Sequence, residues 1–263
     1  MKRYRAVLLA LAAIAMLCAP RLSPATPSAF NVIETPSKDW FARSRAAEFV
    51  RMTKRAVEND DCDAMNYLGV LYASGNVIEQ DYTAALYWFL KAIDRGSVGA
   101  MNNVARLYFF GMGVPQSYSN AAIWSKRAAG YGSVAAMYNM ALLSEEGLGV
   151  DLSQTAAQKY YAVAAQRGYV PAMLALGERY ARGQGAKRDL ILAYAWTATA
   201  LWSGQPDKNM EQALHKLARL RVALSDEELS RAQLLSVHLS TLVELRAANS
   251  AKGGQSAVFS GRR

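Results

Sequence analysis

Ala64, Leu68, Leu71 and Tyr72 fall on one face of a helix of period 3.6, and Gly75 follows where such a helix can end in the left-handed conformation. Ala85, Trp88, Phe89 and Ala92 mark one face of a second helix, closed by Gly96. The whole pattern then returns. The pair Ala64-Met65 recurs as Ala100-Met101, Ala136-Met137 and Ala172-Met173, each 36 residues after the last. Gly111, Gly147 and Gly183 keep the first stop, Ala121, Ala157 and Ala193 the small position, Trp124, Tyr160 and Trp196 the aromatic, and Gly132, Gly168 and Gly204 the second stop. A fixed period of this length, with two helices in each unit, predicts a stack of repeats and not a single closed core. Alanine lets neighbouring backbones approach, and the aromatic is expected to fill the space between units. A buried Trp contributes gross stabilisation on the order of 4 to 6 kcal/mol, as an upper bound.

The flanks read as caps. Counting back 36 from Ala92 reaches Ala56, so Ser37 to Asn59, with Trp40, Phe41, Phe49 and Met52, is expected to form a lone helix of the second type, N-capped by Ser37. After Gly204 the period is lost. Met210 to Leu224 is helix-compatible, and Ser225-Asp226-Glu227-Glu228 is a capping box that opens a helix through about Leu245. Leu214, Leu217, Leu220 and Leu224 in the first of these, and Leu229, Leu234, Leu235, Leu242 and Leu245 in the second, are expected to cover the apolar face of the last repeat. The predicted organisation is a leader at 1–29, a linker and capping helix at 30–61, four repeats at 62–204, capping helices at 205–246 and a disordered basic tail at 247–263.

The run Ala-x-x-x-Leu-Gly-x-x-Tyr-x-x-Gly of Ala64 to Gly75, with Gly-x-Gly-Val at Gly111 to Val114 and Gly147 to Val150, resembles the Sel-1-like repeat family. That resemblance implies an all-α fold, a right-handed α-solenoid of antiparallel helix pairs similar to the tetratricopeptide repeats, in proteins that act mainly as adaptors. Three positions depart from the pattern: Val77 replaces a glycine, Ser144 a tyrosine and Ala186 a valine. Some secreted relatives staple each repeat with a cysteine pair. This chain has Cys18 and Cys62 alone, so the exported form would hold one free thiol, disfavoured as thiolate by Asp60, Asp61 and Asp63.

Lys2, Arg3 and Arg5 precede the uncharged run Ala6 to Ala19, followed by Pro20, Pro24 and Pro27 with small residues at Ala25 and Ala29. These are the three parts of a secretory signal, and the apolar run is short for a membrane span. Cleavage after Ala25 or Ala29 would leave a periplasmic or secreted protein; an uncleaved N-terminal anchor is the alternative. The leader holds four cations and no acid, so its loss lowers the formal charge from +9 to +5. The remaining charge is mild, and no aromatic-basic motif for nucleic acid is present. The expected partner is a protein or peptide of the cell envelope and not nucleic acid, with transient membrane contact through the leader only.

Catalytic chemistry finds little support. His215 and His238 are the two histidines, both on predicted cap helices, with no His-Glu-x-x-His arrangement and no cysteine cluster for a metal. The Gly-x-Gly steps follow helices and lack the strand and Lys-Ser/Thr of a phosphate loop. No catalytic residue, metal or cofactor is assigned, and the chain is expected not to be an enzyme. The residues carrying function are expected on the face of each first helix that points away from the core: Asn66, Val70 and Ala73; Asn102, Arg106 and Phe109; Tyr138, Leu142 and Glu145; Leu174, Glu178 and Ala181. In solenoids of this type that side lines the groove, and Val70, Phe109, Tyr138, Leu142 and Leu174 make it apolar. The other reading is that these side chains pack against the next repeat. The function expected is a non-enzymatic exported adaptor that holds a partner in the groove, regulating an envelope sensor or serving a secretion or polysaccharide apparatus. The alternatives are a structural envelope component without a discrete ligand, or a hydrolase of cell-wall or β-lactam substrates, an activity ascribed to some cysteine-rich relatives.

Overall fold

The computed structural model describes residues 38–76, 78–203 and 208–259. The expected leader, Ser37 and Val77 lie outside the described residues, as do the side chains of Trp40 and Phe41. From Ala42 onward the described residues form one compact unit. The described residues form helices α1 (Lys38–Glu58), α2 (Cys62–Ser74), α3 (Tyr82–Asp94), α4 (Val98–Phe110), α5 (Tyr118–Gly130), α6 (Val134–Glu146), α7 (Gln154–Gln166), α8 (Val170–Arg182), α9 (Leu190–Ser203), α10 (Lys208–Ala223) and α11 (Asp226–Phe259), with no strand among them.

Most helix starts within the repeats are satisfied by a capping side chain, and the first helices stop on a glycine. Asp61 and Asp81 each accept two backbone N–H groups at the starts of α2 and α3, and Ser97, Ser117, Ser133 and Ser153 do the same for one N–H at α4 to α7. Tyr169 makes no such bond, and Pro171 in the first turn of α8 instead removes one of the orphan donors. The first helices α2, α4, α6 and α8 all end on a left-handed glycine. The next glycine of the loop is needed for a different reason. A Cβ on Gly149 would stand 2.3 Å from the carbonyl oxygen of Tyr118, so the loop of the third repeat presses on the first turn of α5 in the second.

Helices pack in order: α2 on α3, α3 on α4, and so on to α9, giving a solenoid of antiparallel helix pairs. One core cluster runs from Ala56 through the first two repeats to Ala136; a second spans the last two repeats and includes Val243 of α11. Phe49 and Met52 of α1 pack on the first cluster, with Phe49 edge-on to Tyr72 at 5.9 Å. In the aromatic column only Trp196 is buried; Trp88, Trp124 and Tyr160 are half-buried. The fully buried side chains stand one residue later, at Phe89, Ser125, Tyr161 and Thr197, because a step of 100° turns that column onto the first helix of the same repeat.

The capping helices differ in part from expectation. The box at Ser225 forms as read: Glu228 N–H donates to Ser225 Oγ and Ser225 N–H to Glu228 Oε2. Helix α11 then runs beside α9 in the same direction. Leu229 and Ala232 cluster with Tyr194, Thr199 Oγ1 donates to the Ser236 carbonyl, and Arg246 Nη1 donates to Gln166 Oε1 at the end of α7. Its inward seam is Leu229, Ala232, Leu239 and Val243, which leaves Leu234, Leu242 and Leu245 exposed together with Leu214 of α10. The helix also continues past Leu245 to Phe259, through a stretch whose composition predicts no order.

Candidate functional site

On a first helix, the positions equivalent to Ala64, Leu68 and Leu71 face the paired second helix. The column Asn66, Asn102, Tyr138, Leu174 turns toward the following repeat. Asn66 Oδ1 accepts from Asn103 Nδ2 at 2.8 Å, Asn102 Nδ2 donates to Ser133 Oγ at 2.7 Å, and Tyr138 packs on Tyr161 and Tyr169, with ring centroids 5.5 and 5.3 Å away. The column Val70, Arg106, Leu142, Glu178 is the more open one: Arg106 and Leu142 are exposed and the other two half-buried. Phe109 and Glu145 are half-buried at the ends of their helices, whereas Ser74, Phe110, Glu146 and Arg182 are exposed. The open stripe is therefore centred on residues 63, 70 and 74 and their equivalents, about a sixth of a turn from the face that the helical wheel picks out.

The residues named from sequence thus divide. Val70, Arg106, Leu142 and Glu178 lie along the open stripe. Asn66 and Asn102 bond to the following repeat, Tyr138 packs on Tyr161 and on Tyr169 at the start of α8, and Val70, Phe109, Tyr138 and Leu174 pack against core clusters. Phe110, 59% exposed, was not among them; it lies under the Arg106 guanidinium, 6.0 Å from the ring centroid, and edge-on to Phe109 at 4.9 Å. Glu178 is occupied by Arg182 and by Lys216 of α10.

Glu145 belongs to a buried polar cluster. Arg179, 2% exposed, pairs with the Glu145 carboxylate, donates through Nε to Gln158 Oε1 at 2.9 Å, and through Nη2 to the Gln154 carbonyl at 2.9 Å. Tyr161 donates its hydroxyl to Glu145 Oε2 at 2.8 Å, and both burial and that carboxylate push the Tyr161 phenol far above its ordinary range. Both carboxylate oxygens of Glu145 are thereby engaged by side chains of the protein, so it serves the joint between the third and fourth repeats. The signal for this cluster stands in the repeat itself: Arg179 occupies the column of Leu71, Leu107 and Leu143.

The other reactive side chains are quiet or peripheral. Cys62 is a half-buried free thiol whose pKa is raised, first by burial and then by Asp63 and Asp61. His215 and His238 are exposed on α10 and α11. A cleft of about 430 Å³ between the start of α9 and the α10–α11 turn is lined by Arg188, Asp189 and Glu228, whose polar groups already serve helix ends. No described helix is long and apolar enough to cross a membrane.

Repeat length, glycine stops and stacked helix pairs define a class, and comparison with known families gives it a name. The chain belongs to the Sel1 repeat family, whose model matches four times, at residues 62–97, 98–130, 134–169 and 170–201, together more than half of the chain. Among solved structures it is similar to c5321, described as a protective antigen present in uropathogenic Escherichia coli strains and displaying an SLR fold, with a TM-score of 0.66 and 25% identity. That likeness covers 81% of this chain and 46% of the other, so the chain spans about half of that relative. A Sel1 repeat protein from Oxalobacter formigenes is similar over 76% of this chain and 84% of its own, with a TM-score of 0.62 and 27% identity. No curated protein matches the chain.

Proposed function

We propose that this protein is an exported adaptor, without catalytic activity of its own, that holds a segment of a protein partner of the cell envelope along the open stripe of its first helices. The Sel1 solenoid supports this reading because such folds commonly serve as scaffolds for protein interaction. The observation that carries it is the juxtaposition of Arg106 and Phe110 on α4 with Leu142 on the next first helix, α6, all exposed. A monomer has little reason to keep Phe and Leu wet on adjacent ridges, and large aromatics with Arg are the side chains that anchor interfaces. The leader supports export, and the description of the Escherichia coli relative as a protective antigen agrees with it.

Leu142→Asp tests the site, because a carboxylate placed against an apolar partner is costly while in the free protein it stays in water. With the purified protein as bait in an envelope extract, Leu142→Asp is expected to lose the partner that wild type and a loop control, Lys187→Asp, both retain. An unchanged melting temperature must accompany the loss. Retained capture by Leu142→Asp would move the site off this face. Tyr138 is unsuited to the test, since its ring packs between the third and fourth repeats.

A further inference from the structure

The opposite side of the solenoid, formed by the second helices, has its own chemistry. Helices α3, α5 and α7 carry Lys91, Lys126, Arg127 and Lys159, all exposed, against a single carboxylate, Asp94. None of those four cations joins an ion pair among the described residues, whereas Lys54 and Arg55 of α1 and Arg179 and Arg182 of α8 are all paired. Large apolar side chains stand beside them: Tyr87 is 52%, Ile123 61% and Tyr131 64% exposed. The Lys91 ammonium lies 5.0 Å from the Tyr87 ring centroid and the Arg127 guanidinium 5.4 Å from that of Trp124.

Because the period returns every second helix to the same azimuth, Tyr87, Ile123 and Lys159 form one column and Lys91, Arg127 and Val163 another, both facing outward. In the fourth repeat the same columns hold Ala195 and Thr199, both buried, and α11 lies over that helix. The chain thus covers this face with its own helix at the fourth repeat, using small residues, touches the C-terminal end of α7 in the third, and leaves Lys159 and the cationic faces of α3 and α5 open.

We propose that this second-helix face docks on an anionic lipid surface. The headgroup region accepts both halves of the pattern: anionic phosphates meet the unpaired cations, and Ile123, Tyr87 and Tyr131 enter the boundary above the acyl chains, where amphipathic aromatics are favoured. An acidic polysaccharide would meet the cations and leave the apolar side chains in water. Docking on this side keeps the first-helix stripe turned away from the lipid and free for a partner.

The test uses the full chain and vesicles of phosphatidylcholine alone or equimolar with phosphatidylglycerol. Wild type is expected to sediment with the mixed vesicles far more than with neutral ones, and less so as salt rises. Each cation near an anionic surface contributes about fivefold, so Lys126→Glu with Arg127→Glu should weaken binding by at least roughly 30-fold. Both proteins carry the same apolar N-terminus, so any difference between them belongs to this face. Should the acidic pair lower the melting temperature, Lys126→Gln with Arg127→Gln is the variant that decides, with a smaller fall expected. Equal binding of wild type and variant to the mixed vesicles, or wild-type binding no stronger than to phosphatidylcholine, overturns the proposal. So does capture of wild type by polyglutamate without capture by the mixed vesicles, which would give the face to an acidic macromolecule.

Discussion

Arg179 shows what one residue can decide in a repeated frame. Three repeats place leucine at its position, and in the fourth a guanidinium is buried instead, held by Glu145, Gln158 and Gln154. Removing one partner of a buried pair leaves the other unsatisfied, whereas replacing both by apolar groups can be nearly neutral. Arg179→Leu is therefore expected to cost about 3 kcal/mol in chemical denaturation, and Arg179→Leu combined with Glu145→Leu to recover most of it. A double variant as unstable as the single one would show that the cluster adds net stability. Cys62 makes a kinetic test at the same scale. Burial and the neighbouring Asp63 and Asp61 raise its thiol, so less thiolate is present at neutral pH than in a free cysteine. Alkylation by iodoacetamide should be slow at neutral pH and still be accelerating above the ordinary thiol range; a rate equal to that of free cysteine would contradict the burial.

At the scale of the element, helix pairing turns on small residues whose surroundings differ. A Cβ on Gly69 would stand 2.4 Å from Phe89 Cε1, whereas one on Gly130 meets nothing within 4 Å. Gly69→Ala should thus destabilise by about 1 to 3 kcal/mol through overpacking, and Gly130→Ala stabilise by roughly 0.4 to 1 kcal/mol by restricting the unfolded chain. Thermal melts of the two variants should move in opposite directions; movement in the same direction would contradict the α2–α3 packing. The helices themselves are legible in the sequence because their signals are local: an Asp or Ser cap, a glycine stop, and a period that repeats four times. The faces are less so. A wheel drawn on one helix identifies its core side from Ala64, Leu68 and Leu71 but does not know where the adjacent repeats lie, so for Asn66 and Tyr138 it leaves groove and inter-repeat packing both open and does not single out Phe110. Leu234 and Leu245 read as inward in the sequence for the same reason, since the seam α11 uses is set by α9. Arg179 stood in plain view as a break in a leucine column, and only its partners, brought from three other turns, required the structure.

Over the whole molecule, stability is distributed by neighbour contacts, so an end that loses its cap should fail before the middle does. Helix α11 is the cap at the C-terminal end. It seats Val243 and Leu239 on the core cluster of the last two repeats, Ala232 against Tyr194, and Arg246 on Gln166. Truncation before residue 226 would expose Tyr194, Thr199 and Ala200 of α9, which the intact chain buries. Helix α11 packs chiefly on α9, with a lighter contact on α7, while α4 and α5 are packed on each other and on α3 and α6. Hydrogen exchange should therefore show α8 and α9 losing protection in the truncated protein while α4 and α5 keep most of theirs, with the melt broadened or split. The comparison separates two pictures of the array. Uniform loss of protection from α2 to α9 would mean that the four repeats open as one unit, with α11 stabilising all of them alike. Unchanged protection in α8 and α9 would mean that the fourth repeat closes itself, and that the exposed leucines of α11 belong to a helix kept for contacts beyond this chain.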